Sequence, residues 1–306
     1  MEFITGTKNS MENAAVTSGC YSGRFFTSQE IEWIRNYIAA NPTLHRLALS
    51  RIVAQHFLWL SPNGRPKEMS CRVAMLRMYR DGLICLPKPQ KKSRSSQWRP
   101  QISSASNPQP PISIPAGQLT PIVLSQALTP NDKRLWNELI QRYHYLGHSP
   151  LPGAQIKYLV FSAGGSLLAV LGFAAAAWKV ASRDQFIQWS PQQRVRNLHL
   201  VVNNARFLIL PWVTSKNLAS HILGLAAKQL PLDWQVRYNY QPVLMETFVQ
   251  KDKFKGTCYR AANWLLLGQT KGRGKLDRFN EYLLPVKDVF VYSLNKSFRK
   301  ILCSPA

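Results

Sequence analysis

From Tyr158 to Trp178 the chain runs for 21 residues without a charged side chain, closed at either end by Lys157 and Lys179. That length is enough for a helix to span a bilayer, and enough for two strands buried on both faces of a sheet. Composition separates the two. Ser162, Ala163, Gly164, Gly165, Ser166, Ala169, Gly172 and Ala174 to Ala177 leave too little strongly apolar surface for insertion. The run is therefore expected to form strands at 158–161 and 167–173, turned at Gly164-Gly165, inside a central sheet, and no membrane partner is expected.

With 45% apolar and 11% aromatic residues in 306, the chain can build real cores, and its length suggests about two domains. Against 39 Lys plus Arg stand 15 Asp plus Glu, a formal charge of +24. Residues 1–88 carry +5, 89–120 carry +4 and 121–306 carry +15, so the basicity is not that of a tail. Solubility does not require so much of one sign, and nucleic acid is the expected partner. Cys20, Cys71, Cys85, Cys258 and Cys303 form no CxxC pair and no zinc spacing, which fits a reducing cytoplasm. The N-terminus lacks a basic segment followed by an apolar run, so no signal peptide is expected.

Four segments follow from the pattern: a flexible N-terminus at 1–24, a helical module at 25–88, a linker at 89–121 and an α/β domain at 122–306. In the module, Thr27 and Glu30 have capping-box spacing and Ile31, Ile34 and Ile38 share a helical face before Asn41-Pro42. A second helix is expected from about Ser50 to Leu58. A third starts with Pro66 in its first position and buries Met69, Val73 and Leu76, with Lys67, Arg72, Arg77 and Arg80 on its other faces. Leu83 to Leu86 reads as a trailing strand. Three short helices, a cationic third helix and a strand suggest a winged helix-turn-helix-like DNA-binding module, with Arg65 just before the third helix. In the linker, Pro87 to Pro121 holds eight prolines, and Lys91, Lys92, Arg94 and Arg99 make it a phosphate-tracking arm.

The last segment alternates helix and strand. Leu135, Leu139 and Tyr143 mark a helix, 198–202 and 207–210 strands, 217–229 a helix and 243–249 a strand. Cys258 to Leu266 runs from helix into strand, and 289–294 is another strand. His144 and His148, four apart, would share a helix face, but no third ligand lies nearby, and no metal or cofactor is expected. His199 reads as a strand histidine at the core edge. Glu246, inside an apolar strand, must either meet an arginine such as Arg206 or act as a base with a raised pKa. Glu246, His144 and His148 are thus weak catalytic candidates, with Asp184 behind them. Cys258 and Tyr259 are possible nucleophiles without a readable triad. Arg260 and the loop bearing Lys271, Arg273 and Lys275 among Gly268, Gly272 and Gly274 lack the Gly-Lys-Ser/Thr order of a nucleotide-hydrolysing loop and are expected to contact a nucleic-acid backbone. Tyr259, Trp264 and Phe279 could stack on unpaired bases, with buried packing as their default.

Phe254 to Trp264 followed by Leu267 to Lys275, together with Asn63 to Arg77, Gly82 to Pro87, Arg142 to His148, Leu208 to Val213 and Asn217 to His221, resembles the Druantia A (DruA) family. That family is found in bacterial anti-phage defence islands and in relatives linked to transposons. The element order of 134–294 also resembles the Gcn5-related N-acetyltransferases, whose second half runs strand, helix, strand, helix, then two strands. In those enzymes a glycine-bearing loop holds the cofactor's pyrophosphate; Pro211 to Ala219 stands there without glycines. The resemblance implies a DNA-binding component of a Druantia-type anti-phage system, working beside a separate helicase-like subunit on recognition or delivery of foreign DNA. The competing class is an enzyme, either a mobile-element DNA-processing protein or an acyltransferase using acetyl-coenzyme A.

Overall fold

The computed structural model describes residues 18–89, 99–272 and 284–304. The chain divides into two compact units, Met1–Ser96 and Gln97–Ala306.

The first unit opens with a hairpin of β1 (Gly19–Tyr21) and β2 (Arg24–Phe26), then packs α1 (Ser28–Ala40), α2 (Arg46–His56) and α3 (Glu68–Arg80) around a shared core. The α1 capping box is complete, with Thr27 Oγ1 accepting from the Glu30 amide at 3.2 Å and the Glu30 carboxylate accepting from the Thr27 amide at 2.9 Å. Ile31, Ile34 and Ile38 are buried. The second helix begins four residues earlier than the pattern predicts, because His45 Nδ1 accepts from the Ala48 amide at 3.2 Å and serves as the cap. Pro66 does not enter α3; it bridges to Leu60, and Lys67 takes the N-cap.

Two stripes of apolar side chains run along α3, and the core takes the other one. Cys71, Ala74, Met75 and Met78 are buried, whereas Met69 and Val73 are 62% and 39% exposed. The strand expected at 83–86 is also absent. Leu83 and Ile84 are buried as irregular chain, and the Leu83 carbonyl accepts from Arg35 instead of a ladder partner. The two-stranded element precedes the helices.

Among the described residues, the second unit holds a seven-stranded mixed sheet in the order β3-β4-β5-β6-β7-β9-β8. Its strands are β3 (Val123–Gln126), β4 (Ile156–Phe161), β5 (Leu167–Ala175), β6 (Val201–Ile209), β7 (Leu244–Gln250), β8 (Leu265–Gln269) and β9 (Lys287–Ser293). All neighbours are antiparallel except β6 and β7, which run parallel. The helices are α4 (Pro130–Tyr143), α5 (Ala181–Ile187), α6 (Pro191–Asn197), α7 (Leu218–Tyr238), α8 (Thr257–Ala261) and α9 (Phe298–Leu302).

Neighbouring strand residues point to opposite faces. Lys157 Nζ lies 4.3 Å from the Trp136 ring centre of α4, while the Tyr158 hydroxyl donates to Asp233 of α7 at 2.6 Å, so these helices cover opposite faces. β4 and β5 are therefore buried on both sides, which is why the 158–178 run shows no polar alternation. No described helix is long and apolar enough to cross a membrane. Gly172 admits this layering: a Cβ there would lie 2.7 Å from Trp136 Cζ2, and Trp136 Nε1 donates to the Leu171 carbonyl at 2.8 Å. The 201–209 stretch is one strand, not two: it stays paired with β5 on both sides of a register shift at Gly172/Phe173, where Asn204 finds partners for its buried amide.

The proline-rich segment differs from a free linker over 99–121. Ser103 donates to the buried Glu138 carboxylate through its amide and hydroxyl at 2.9 and 2.7 Å, and Ile112 pairs in parallel with Val213. Proline forbids a ladder here, yet two bridging bonds and the buried Leu119 still hold the strap to the domain.

Candidate nucleic-acid interface

The outward face of α3 carries Arg72, Arg77 and Arg80 interleaved with Met69, Val73, Leu76 and Tyr79. Helical periodicity requires this: with the 71, 74, 75 and 78 positions inward, those seven fall on the remaining arc. Arg77 and Arg80 are exposed and Arg72 is partly so; its guanidinium donates to Met69 Sδ. None of the three forms an ion pair among the described residues. Arg65 and Lys67 lie in the loop that leads into the helix. Long cationic side chains among apolar ones on a free helix face can reach phosphates, base edges and thymine methyls.

The other predicted cations are scattered over the second unit or lie beyond description. Arg260 is exposed on α8, its guanidinium 5.6 Å from the Phe290 ring centre, and Lys271 is exposed just after β8. Lys91, Lys92, Arg94, Arg273, Lys275 and Phe279 lie outside the described residues. Tyr259 and Trp264 are 8% and 3% exposed, so packing claims both rings and neither offers a stacking platform.

A cleft opens where the parallel strands part. β6 and β7 pair only through Val201–Leu244, Val202–Met245 and Asn203–Glu246, then diverge. The resulting cavity of about 380 Å³ lies beyond that fork, the usual place for a ligand crevice in a sheet with parallel strands. Asn204, Phe207, Thr247 and Tyr259 line its floor, with His144, Tyr145, Phe254 and Lys255 at its sides. The Tyr259 hydroxyl donates to Asn204 Oδ1 at 2.8 Å, and Thr247 Oγ1 donates to the Asn204 carbonyl at 3.0 Å. Burial pushes the Tyr259 phenol and the Cys258 thiol up, so neither is an ionised nucleophile at neutral pH.

His144 and His148 do not share a helix face. α4 stops at Tyr143, His144 is its C-cap, and His148 follows the turn at Gly147. Burial, with Arg206 adding, brings His144 down to about 4, so its imidazole stays neutral and its Nδ1 accepts from the Leu146 amide. Among the described residues no three His, Cys, Asp or Glu side chains are grouped to hold a metal. His199 belongs to a 3-10 turn, not a strand, with Nδ1 2.8 Å from the Arg196 carbonyl.

Glu246 faces away from the cleft. Its partner is Arg183, not Arg206: the pair meets at 2.8 Å with both side chains fully buried, and the Ala177 amide donates to the other carboxylate oxygen at 2.8 Å. Burial pushes the carboxyl up against the pull of Arg183. Arg206 instead donates to the Ala205 carbonyl and Ser149 Oγ, both at 2.7 Å. Arg183 also holds Asp184, which in turn bonds Trp189 and Arg194, so both carboxylates are committed to structure. Sequence reasoning misses Arg183; its only signal there is adjacency to Asp184 within a weakly patterned segment.

The strand order and the single parallel pair with its fork define an acetyltransferase-like mixed α/β domain. The chain belongs to the Druantia protein DruA family, whose model matches residues 77–284. That family implies membership of a Druantia anti-phage system. Among solved structures, a chimera of the spermidine N-acetyltransferase SpeG from Vibrio cholerae and hSSAT is similar at 13% identity, covering 58% of this chain and 98% of its own, with a TM-score of 0.38. SpeG from Vibrio cholerae in complex with CoA and spermine is similar at 13% identity over 58% of this chain and 98% of its own, with a TM-score of 0.36. No curated protein matches this chain.

Proposed function

We propose that this chain is the DNA-binding component of its Druantia-type system and contributes to recognition or delivery of foreign DNA in the cytoplasm. The observation that carries the reading is the outward face of α3: three arginines without ion pairs among the described residues, set among exposed apolar side chains. In this reading α3 is the recognition helix of a helix-turn-helix-like unit without, among the described residues, the trailing strand of a wing. Lys91 and Lys92 of the linker, and Arg260, Lys271, Arg273 and Lys275, add backbone contacts. A helicase-like subunit supplies ATP-driven movement, since this sequence carries no nucleotide-hydrolysing loop.

A salt-dependent titration on duplex, forked and single-stranded probes tests it. Arg72→Ala, Arg77→Ala and Arg80→Ala together are expected to flatten the log-affinity against log-salt slope by about 0.9 for each duplex phosphate that the protein no longer neutralises. An unchanged affinity and slope would remove α3 from the site. The fork between β6 and β7 favours a second reading, an acyltransferase, and calorimetry with acetyl-coenzyme A decides it: saturable heat supports that reading, and none ends it.

A further inference from the structure

We propose that the cavity between the start of α4, the start of β4 and the last turn of α7 is a binding site for a phosphate group, held by Lys133, Lys157 and Arg237. The cavity measures about 310 Å³ and is lined by those three side chains with Gln155, Gly153, Ala127 and Tyr238. Its size falls at the lower end of small-ligand sites. Three elements distant in sequence bring one sign of charge to one place, and no carboxylate among the described residues lines it.

The nearby acids are engaged elsewhere. Asp132 accepts from the Thr129 amide at 3.2 Å, and Asp233 accepts from the Tyr158 hydroxyl and the Gln229 amide at 2.6 and 3.0 Å. Lys157 is not a solvated surface lysine. Its ammonium lies over the Trp136 ring and donates one proton to Asn137 Oδ1 at 2.7 Å, leaving two for a ligand. Burial, with Lys133 adding, brings it down to about 8, which marks a cation without a counter-charge. Lys133 stands in the first turn of α4, where the helix dipole already repels a cation and attracts an anion. An anion in the cavity relieves both conflicts. The Tyr238 hydroxyl donates to the Gln155 carbonyl and accepts from its amide, which fixes this wall, and the Arg237 guanidinium lies 5.6 Å from the Tyr238 ring centre.

Calorimetry on the full chain at low ionic strength, with pyrophosphate as probe, tests this site. Saturable binding is expected, weakened about tenfold or more by Lys133→Gln with Arg237→Gln. Both of those side chains are exposed, so the fold should survive. Arg72→Ala/Arg77→Ala/Arg80→Ala should leave pyrophosphate binding intact, which separates this site from the α3 reading. In that same triple-variant background a short thymidine oligonucleotide provides the second arm. If it displaces pyrophosphate, or binds with the same dependence on Lys133 and Arg237, the phosphate is that of a nucleic-acid backbone; if it does neither while pyrophosphate still binds, the ligand is a free phosphate compound. No saturable binding of either probe, or binding that ignores Lys133 and Arg237, overturns the proposal.

Discussion

Arg183 and Glu246 join at 2.8 Å with both side chains fully buried, tying the helix after β5 to the strand that borders the fork. Removing Glu246 leaves the buried Arg183 with Asp184 as its remaining counter-charge and without its charged hydrogen bond into β7. Glu246→Gln is expected to lower unfolding free energy by about 1.5–3 kcal/mol. The paired change Arg183→Met with Glu246→Leu should recover most of it. Urea denaturation of the parent and both variants measures this, and a loss below about 0.5 kcal/mol in Glu246→Gln would contradict a structural role for the pair.

The two faces of α3 make opposite demands. Val73 is 39% exposed and Ala74 fully buried, although they are adjacent. Val73→Asp should melt like the parent yet lose DNA affinity, since it sets a carboxylate among the arginines. Ala74→Asp should unfold the first unit, because a buried unpaired charge cannot be compensated. Thermal melting and a DNA titration on the same preparations report both, and the reverse pattern would mean the helix is turned the other way.

Gly256 adopts φ +67°, and a Cβ there would lie 2.7 Å from Phe290 Cζ. An alanine meets both a left-handed backbone penalty and a ring that is itself fully buried. Gly256→Ala should cost about 2–4 kcal/mol in stability. Pairing it with Phe290→Leu should restore part of that loss in the same denaturation series. If Gly256→Ala alone is neutral, the close approach of this loop to the sheet is wrong.

His144 predicts a pH dependence with a definite sign. Its folded value, about 4, lies below the ordinary 6.5, so between those limits the unfolded chain takes up a proton that the folded chain refuses. The contribution is complete above about pH 6.5 and disappears as pH falls toward 4. His144→Gln should therefore lose less stability than the parent on going from neutral pH to about pH 5. Equal losses in both proteins would place the titration on another group.

The elements were legible wherever local chemistry decided them. Thr27 and Glu30 announced α1, the uncharged 158–178 run announced paired strands, and the order of helix and strand from Leu135 onward announced the acetyltransferase-like sheet. Side-chain partners were less so. Glu246 demanded an arginine, but Arg183 and Arg206 are separated from it by 63 and 40 positions, and only the path of the chain selects one.

Hydrophobic spacing told that α3 is a helix and not which of its two apolar stripes turns inward, because both satisfy the same period; the choice came from the core that Cys71, Ala74 and Met78 share with Phe26, Ile31 and Leu49. The charge of +24 was plain in the residues. Where it gathers was not, since Lys133, Lys157 and Arg237 share a cavity only after β4, α4 and α7 have packed. Local order follows from neighbours along the chain, while charge convergence and burial depend on contacts across it, and those exist only once the sheet has closed its layers.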